Sequence, residues 1–189
     1  MIAVKNLSFR YGKQPDDTIK NIEFSIEKGE IYGFLGPSGA GKSTTQKILT
    51  RLLSGYNGQA TVMGKELKMW DNRFYNHIGV GFELPNHYTK LTGMENLQLF
   101  AAMYDKPTVN LMELLDRVGL KNAAQQKTEA YSKGMKMRLN FVRALVHDPE
   151  ILFFDEPTSG LDPVNARNLK DFILELKQKG KTIFLTTHN

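Results

Sequence analysis

The chain has 189 residues, 41% of them hydrophobic and 24% charged, which excludes a disordered chain and fits one domain, or a core with one insertion, large enough to bury an interior. Twenty-five Lys and Arg against 20 Asp and Glu leave a net charge of +5, an excess that admits an anionic partner (nucleotide, nucleic acid or lipid surface) without choosing among them. The absence of cysteine excludes a disulfide framework, a thiolate metal site and a Cys nucleophile; no apolar run approaches the roughly 18 to 20 residues that cross a bilayer, and the opening MIAVKNLSFRYG lacks the basic flank and apolar core of a secretion signal.

In chain order, short strands are predicted at Ile2–Phe9, Ile22–Ile26, Ile31–Leu35 and Ala60–Met63, punctuated by Gly12, Pro15 and the Lys28-Gly29 turn. Together they read as a small, largely antiparallel sheet. From Lys42 to Leu53 the period turns helical, with Ile48, Leu49 and Leu52 on one face. Thr92 and Glu95 form a T-x-x-E capping box ahead of Met94, Leu97 and Ala101. Leu111, Leu114, Leu115 and Val118 give the stripe of a second helix closed by Gly119, and a third follows Gly134 with Met135, Leu139, Val142 and Val146 inward. Residues 88–148 are therefore expected to be a helical block inserted into an α/β protein. Ile151–Phe154 is apolar without alternation, as in a central parallel strand covered on both faces. Asp162-Pro163 starts a helix with Leu169, Phe172, Ile173 and Leu176 on its apolar face, and Thr182–Thr186 reads as another buried strand.

The sharpest motif is GPSGAGKST: Gly36, Pro37, Ser38, Gly39, Ala40, Gly41, Lys42, Ser43 and Thr44 satisfy G-x-x-x-x-G-K-[ST] between a predicted strand and a predicted helix. Glycines let consecutive N–H groups turn toward an anion, the helix start adds positive dipole, the Lys42 ammonium reaches terminal phosphates, and the Ser43 hydroxyl suits Mg²⁺. Asp155, at the end of ILFF, is the expected metal carboxylate, because ligands of open parallel sheets collect beyond the carboxyl ends of strands. Glu156 is the candidate general base for an attacking water. Standing alone, the two acids would equally suit a solvated strand end.

YSKGM at Tyr131–Met135, a helix with Arg138 and Arg143, ILFFDEPTSGLDP and the final TTHN resemble, in order and spacing, the nucleotide-binding subunit of ATP-binding cassette (ABC) transporters, most like the drug and ion exporter branch. The resemblance implies an α/β fold: a P-loop NTPase core (RecA-like parallel sheet) with an N-terminal antiparallel β-subdomain and an inserted helical subdomain. It implies one domain, 1–189, in which 1–87 carry the β-subdomain and the Walker A part of the core, 88–148 the helical subdomain with the signature motif, and 149–189 Walker B, the D-loop and the switch histidine. Ser132 and Gly134 match the signature LSGGQ, where Lys133 and Met135 replace a glycine and a glutamine, and imply contacts to ATP held by a second subunit. Tyr11 matches the adenine-stacking aromatic, although its residues alone equally suit a turn aromatic. His188 matches the switch histidine that aligns water, and Glu83, where most members carry glutamine, is implied beside Mg²⁺. Asp162 falls in the segment crossing the dimer interface and is also fully explained as a helix cap.

The implied activity is hydrolysis of ATP with Mg²⁺ by a homodimer or heterodimer of ATPase subunits, driving a separate transmembrane permease from the cytoplasmic face of the cell membrane, with no specific nucleic acid partner. A soluble ABC ATPase acting on nucleic acid or ribosomes is the alternative; a small-molecule P-loop kinase and a nucleotide binder without turnover are further readings. Family members continue past the switch histidine with further strand and helix, so a chain ending at Asn189 is expected to be truncated.

Overall fold

Alternating burial sets the two sheets of this computed structural model, which describes residues 1–12, 15–106 and 109–187. β1 (Ile2–Phe9) turns Ile2, Val4, Leu7 and Phe9 inward and lies between β2 (Ile19–Ile26) and β4 (Asn57–Val62), with β5 (Lys65–Glu66) on the edge. This antiparallel sheet has the order β2-β1-β4-β5, and Ile2 pairs with both Ile26 and Val62. The second sheet is parallel: β3 (Ile31–Leu35), β6 (Ile78–Gly81), β7 (Ile151–Asp155) and β8 (Thr182–Thr187) run in the order β3-β8-β7-β6. An α/β fold with one parallel and one antiparallel sheet agrees with the class expected from the motifs.

Five α-helices accompany the sheets among the described residues: α1 (Lys42–Leu49), α2 (Gly93–Ala101), α3 (Leu111–Arg117), α4 (Lys133–Arg143) and α5 (Pro163–Gln178). The Thr92–Glu95 capping box forms as expected: Glu95 N–H donates to Thr92 Oγ1 at 3.1 Å and Thr92 N–H to Glu95 Oε2 at 2.7 Å. All five residues of β7 are buried, and its side chains divide between two interiors. Leu152 and Phe154 meet α4 and α5, where Phe141 stacks on Phe154 with ring centroids 4.4 Å apart and Phe172 closes the layer. Ile151 and Phe153 join Ile48 and Leu49 of α1, Phe184 of β8 and the inner face of the antiparallel sheet. Each such side chain contributes about 1.5–3 kcal/mol by leaving water, so β7 is anchored from both sides.

Several local expectations are corrected. Ile31–Leu35 does not join the antiparallel sheet of the opening segment; it pairs in parallel with β8, Ile31 with Ile183 and Leu35 with Thr187. The first helix ends at Leu49 rather than Leu53, because Arg51 takes φ 61° and Leu52 and Leu53 N–H turn back to Lys47 O at 2.8 and 3.0 Å. Thr50 Oγ1 donates to Gln46 O at 2.9 Å in the same closure, and Leu52, expected inward, is 52% exposed. β6 is an additional strand; its glycines hide it from pattern reading, yet a Cβ on Gly79 would stand 2.0 Å from Ala144 O, so only glycine lets the strand lie this close. The strand expected at Ile22–Ile26 starts earlier, at Ile19, and that expected at Ala60–Met63 runs Asn57–Val62 before Met63 takes φ 54°.

Two histidines are held neutral, His147 fully buried and His87 partly buried. His147 Nε2 donates to Ile78 O at 3.0 Å, and its ring stacks on Tyr104 at 3.6 Å between centroids. His87 Nε2 donates to Lys136 O at 2.8 Å. Burial pushes both down to about 4. Because each folded value lies below the ordinary 6.5, the unfolded chain takes up protons that the folded chain refuses as pH falls from 6.5 toward 4. Stability from these groups is thus complete above about pH 6.5 and lost through that window, on the order of 1–2 kcal/mol each at pH 5. Urea midpoints measured from pH 7 to 5 are expected to fall, and His147→Phe, which keeps a ring against Tyr104, is expected to flatten that slope; an unchanged slope would contradict the assignment.

Candidate functional site

The four parallel strands end at one level. Leu35 sits beside Thr187, Thr186 beside Asp155, and Phe154 beside Gly81. Register therefore delivers the Gly36–Thr44 loop, the acids after Phe154 and the segment after Gly81 to the same edge of the sheet, where ligands of such sheets collect. A cleft of about 530 Å³ opens there. Ser38, Gly39, Gly41, Lys42, Ser43 and Thr44 line it, together with Thr18, Glu83, Asp155 and Glu156.

The loop is bent by its glycines. Gly39 has φ 82° and Gly41, the residue ahead of α1, has φ 86°, values that cost a side-chain-bearing residue roughly 1 kcal/mol or more. Gly41 is further constrained, since a Cβ there would stand 2.9 Å from Thr18 O. Ala40 N–H closes a turn onto Pro37 O at 3.2 Å. Lys42 is 8% exposed, and its Nζ donates to Gly36 O at 2.7 Å and Pro37 O at 3.0 Å. The ammonium is thus held at the mouth of the loop by neutral carbonyls, which a phosphate oxygen can replace with a stronger charge-assisted bond.

Asp155 is also 8% exposed; Thr186 of β8 donates its hydroxyl to the Asp155 carboxylate and accepts the Glu156 N–H on its carbonyl at 3.2 Å. Glu156 takes φ 48°, a conformation costly for a residue with a β-carbon. Its side chain lines the cleft with Asp155. Glu83 is exposed and lines the same cleft. Ser43, Asp155 and Glu83 together offer only oxygen donors. Among the described residues no three His, Cys, Asp or Glu are arranged to hold a metal ion by themselves, and such a sparse oxygen set fits Mg²⁺, which keeps waters and leans on one or two carboxylates plus phosphate oxygens.

Other expected residues lie outside that cleft wall. Tyr11 adjoins it: its hydroxyl and Thr44 Oγ1 are hydrogen-bonded at 3.2 Å, and its ring meets Phe9 edge-on at 4.9 Å. Ser132 caps α4 by accepting Met135 N–H at 3.2 Å. Gly134 packs toward Leu161, and Lys133 lies over Gly160, its Cε 2.9 Å from where a Cβ would stand. The start of α4 is therefore set against the segment leading to Asp162. Asp162 caps α5 with bonds from Val164 and Asn165 N–H at 3.1 and 3.0 Å, and the Asn165 side-chain and backbone donors hold its carboxyl below the usual range. His188 lies outside the described residues. Thr18 and Thr186 were not singled out from sequence; Thr186 offered a faint signal, a polar residue at the end of a buried apolar strand, and Thr18 none.

With this geometry in view, comparison with known proteins is informative. A family profile described as ABC transporter matches residues 19–159. A fluoroquinolones export ATP-binding protein of Mycobacterium tuberculosis is 57% identical over 189 residues, covering 100% of this chain and 63% of that protein, so the chain spans less than two thirds of that relative's length. The lantibiotic transport ATP-binding protein SrtF of Streptococcus pyogenes is 36% identical over 188 residues, covering 100% of this chain and 80% of that protein. Among solved structures, a dimeric post-hydrolysis state of the ATP-binding cassette MJ0796 bound to ADP and Pi superposes with a TM-score of 0.89 at 26% identity, covering 100% of this chain and 88% of that one.

The two loop glycines separate strain from collision. Gly39→Ala, with nothing within 4 Å of the added carbon, is expected to cost roughly 1 kcal/mol from φ alone. Gly41→Ala meets Thr18 O as well and is expected to cost clearly more, read as a lower urea midpoint. Equal midpoints would show that the close approach to Thr18 does not constrain the loop.

Proposed function

The chain belongs to the ABC transporter family, and from that premise we propose that it is the ATP-hydrolysing subunit of an exporter, one that pairs around two ATP molecules and drives a separate membrane subunit. The observation that carries this reading is the convergence, on one cleft, of the phosphate-loop residues, Lys42 and Ser43 with Asp155, Glu156 and Glu83. Among the described residues no helix is long and apolar enough to cross a membrane; the reading gives the membrane path to the partner and this chain a peripheral place on the cytoplasmic face. Residues 1–189 act in this reading as one ATPase domain, divided at 87/88 and 148/149.

The roles follow from the contacts. The amides of Gly36–Thr44 bind the phosphate chain, and Lys42 exchanges the Gly36 and Pro37 carbonyls for phosphate oxygens. Tyr11, tied to α1 through Thr44, presents its ring to the adenine. Ser43, Asp155 and Glu83 would hold Mg²⁺, which supplies positive charge to the phosphoryl oxygens. Glu156 accepts the proton of the attacking water, and His188 orients that water. Ser132 and Gly134 of a second copy complete the site, with Asp162 at the same junction. ATP then favours the paired state because only that state contacts the terminal phosphate from both sides.

Turnover in the presence of Mg²⁺ is expected to fall at least a hundredfold in Lys42→Ala, roughly 2.7 kcal/mol of transition-state stabilisation, and to vanish with a chelator; undiminished activity in either case would refute the site. Glu156→Gln is expected to retain ATP and to elute as a dimer in its presence, while the native chain hydrolyses ATP and elutes as a monomer. Monomers in both cases would overturn the composite site.

A further inference from the structure

Arg143 is buried at 8% exposure without an acid: among the described residues no carboxylate lies within salt-bridge reach of it. Desolvation accordingly holds its pKa below the usual guanidinium range. What it has instead is directional. Nη1 donates to Asn86 O at 2.6 Å, Nη2 donates to Asn140 Oδ1 at 2.7 Å, and the guanidinium lies 4.5 Å from the Phe100 ring centroid. Asn140, 2% exposed, uses its remaining group on the same segment, Nδ2 donating to Phe82 O at 2.7 Å. Its carboxamide is therefore fixed in orientation, oxygen to the guanidinium and nitrogen to the loop. A third tie is the His87 Nε2 bond to Lys136 O at 2.8 Å.

These bonds share a geometry. Phe82 and Asn86 stand on either side of Glu83, and both of their carbonyls are gripped from α4. Gly81, where an added Cβ would lie 2.9 Å from Phe154 Cδ1 and 3.9 Å from Asn140 Nδ2, lets the segment leave β6 tightly against β7 and α4. An apolar side chain would fill the place of Arg143 without the desolvation cost of a buried charge, so the distinctive contribution of the guanidinium is its grip on backbone. At its other end α4 starts on Ser132, 11 helical residues away along a stiff rod of about 16 Å.

We propose that Asn140 and Arg143 are positioning residues for Glu83: they clamp the carbonyls of Phe82 and Asn86 to α4, so that the Glu83 carboxylate takes its place in the cleft from the helix that begins at Ser132. Whatever moves α4 then moves Glu83. The clamp itself is independent of the assigned activity, whereas its effect on turnover rests on the ATPase reading above.

Because the chain has no cysteine, a nitroxide on Leu84→Cys, a site 73% exposed beside Glu83, reports on this segment alone. In the nucleotide-free full chain, Arg143→Gln and Asn140→Leu are each expected to raise the mobility of that label while leaving a label at Leu174→Cys on α5 unchanged. Mobility at Leu84 unchanged, or raised equally at both sites, would overturn the clamp. Arg143→Lys, which keeps charge and stem but loses the fork, is expected to fall between and serves if Arg143→Gln does not fold. For turnover, Arg143→Gln is expected to lower kcat at least tenfold and raise the Mg²⁺ concentration for half-activity, with the KM for ATP within twofold of the native chain. In a Glu83→Ala background, which removes the oxygen donor altogether, the same substitution is expected to change kcat less than twofold; a full tenfold loss there would show that Arg143 does not act through Glu83. A native chain that hydrolyses no ATP would sink the assigned activity, and the nitroxide measurement would still decide the clamp.

Discussion

Thr186 sits where the strands' chemistry becomes the cleft's chemistry. Its hydroxyl satisfies Asp155 and its carbonyl takes the Glu156 N–H, so one residue on β8 fixes both acids that follow the apolar run of β7. A carboxylate that is 8% exposed at the end of a strand otherwise packed with Leu and Phe needs a hydrogen-bond partner. The neighbouring strand supplies the partner, and the parallel register that places Thr186 opposite Asp155 also places Thr187 opposite Leu35, the last residue before the phosphate loop. The acids and the loop are thus spaced by hydrogen-bond register rather than by flexible connections.

The loop itself is kept ready by its own backbone. Lys42 rests on the carbonyls of Gly36 and Pro37, which hold its ammonium without neutralising it. An incoming phosphate exchanges neutral acceptors for charged ones with little rearrangement, so less ordering cost is charged to binding. Glu156 shows the opposite economy: its φ of 48° stores local strain that the surrounding packing must hold.

Local signals were legible in the amino-acid order, and non-local ones were not. GPSGAGKST, the ILFF run with its two acids, the Thr92 capping box and the Asp162-Pro163 helix start each carry their physics within a few residues, and each formed where expected. The partner of Ile31–Leu35 is not legible because parallel pairing joins Ile31 to Ile183 and leaves no trace in neighbouring residues. The end of α1 is not legible because Arg51 adopts a left-handed turn that its side chain does not advertise. Within the site, the resemblance to a known family supplied Glu83, Ser132 and Tyr11 as candidates, but neither it nor the residues singled out Asn140 or Thr186, whose importance lies in which carbonyl or carboxylate they meet across the fold. Arg143 belongs to a motif legible in the sequence; its burial without an acid is a property of the fold alone.

Among the described residues β3 has a single hydrogen-bonded neighbour, β8. During translation the strand that feeds Gly36 emerges early and has nothing to pair with until residues 182–187 have been made. Pairings this distant along a chain are slow to close and leave aromatic surface such as Tyr32 and Phe34 waiting meanwhile. The phosphate loop therefore acquires its final shape only after residues 182–187 have been made, which leaves the strand that feeds it open to chaperones over that stretch of synthesis.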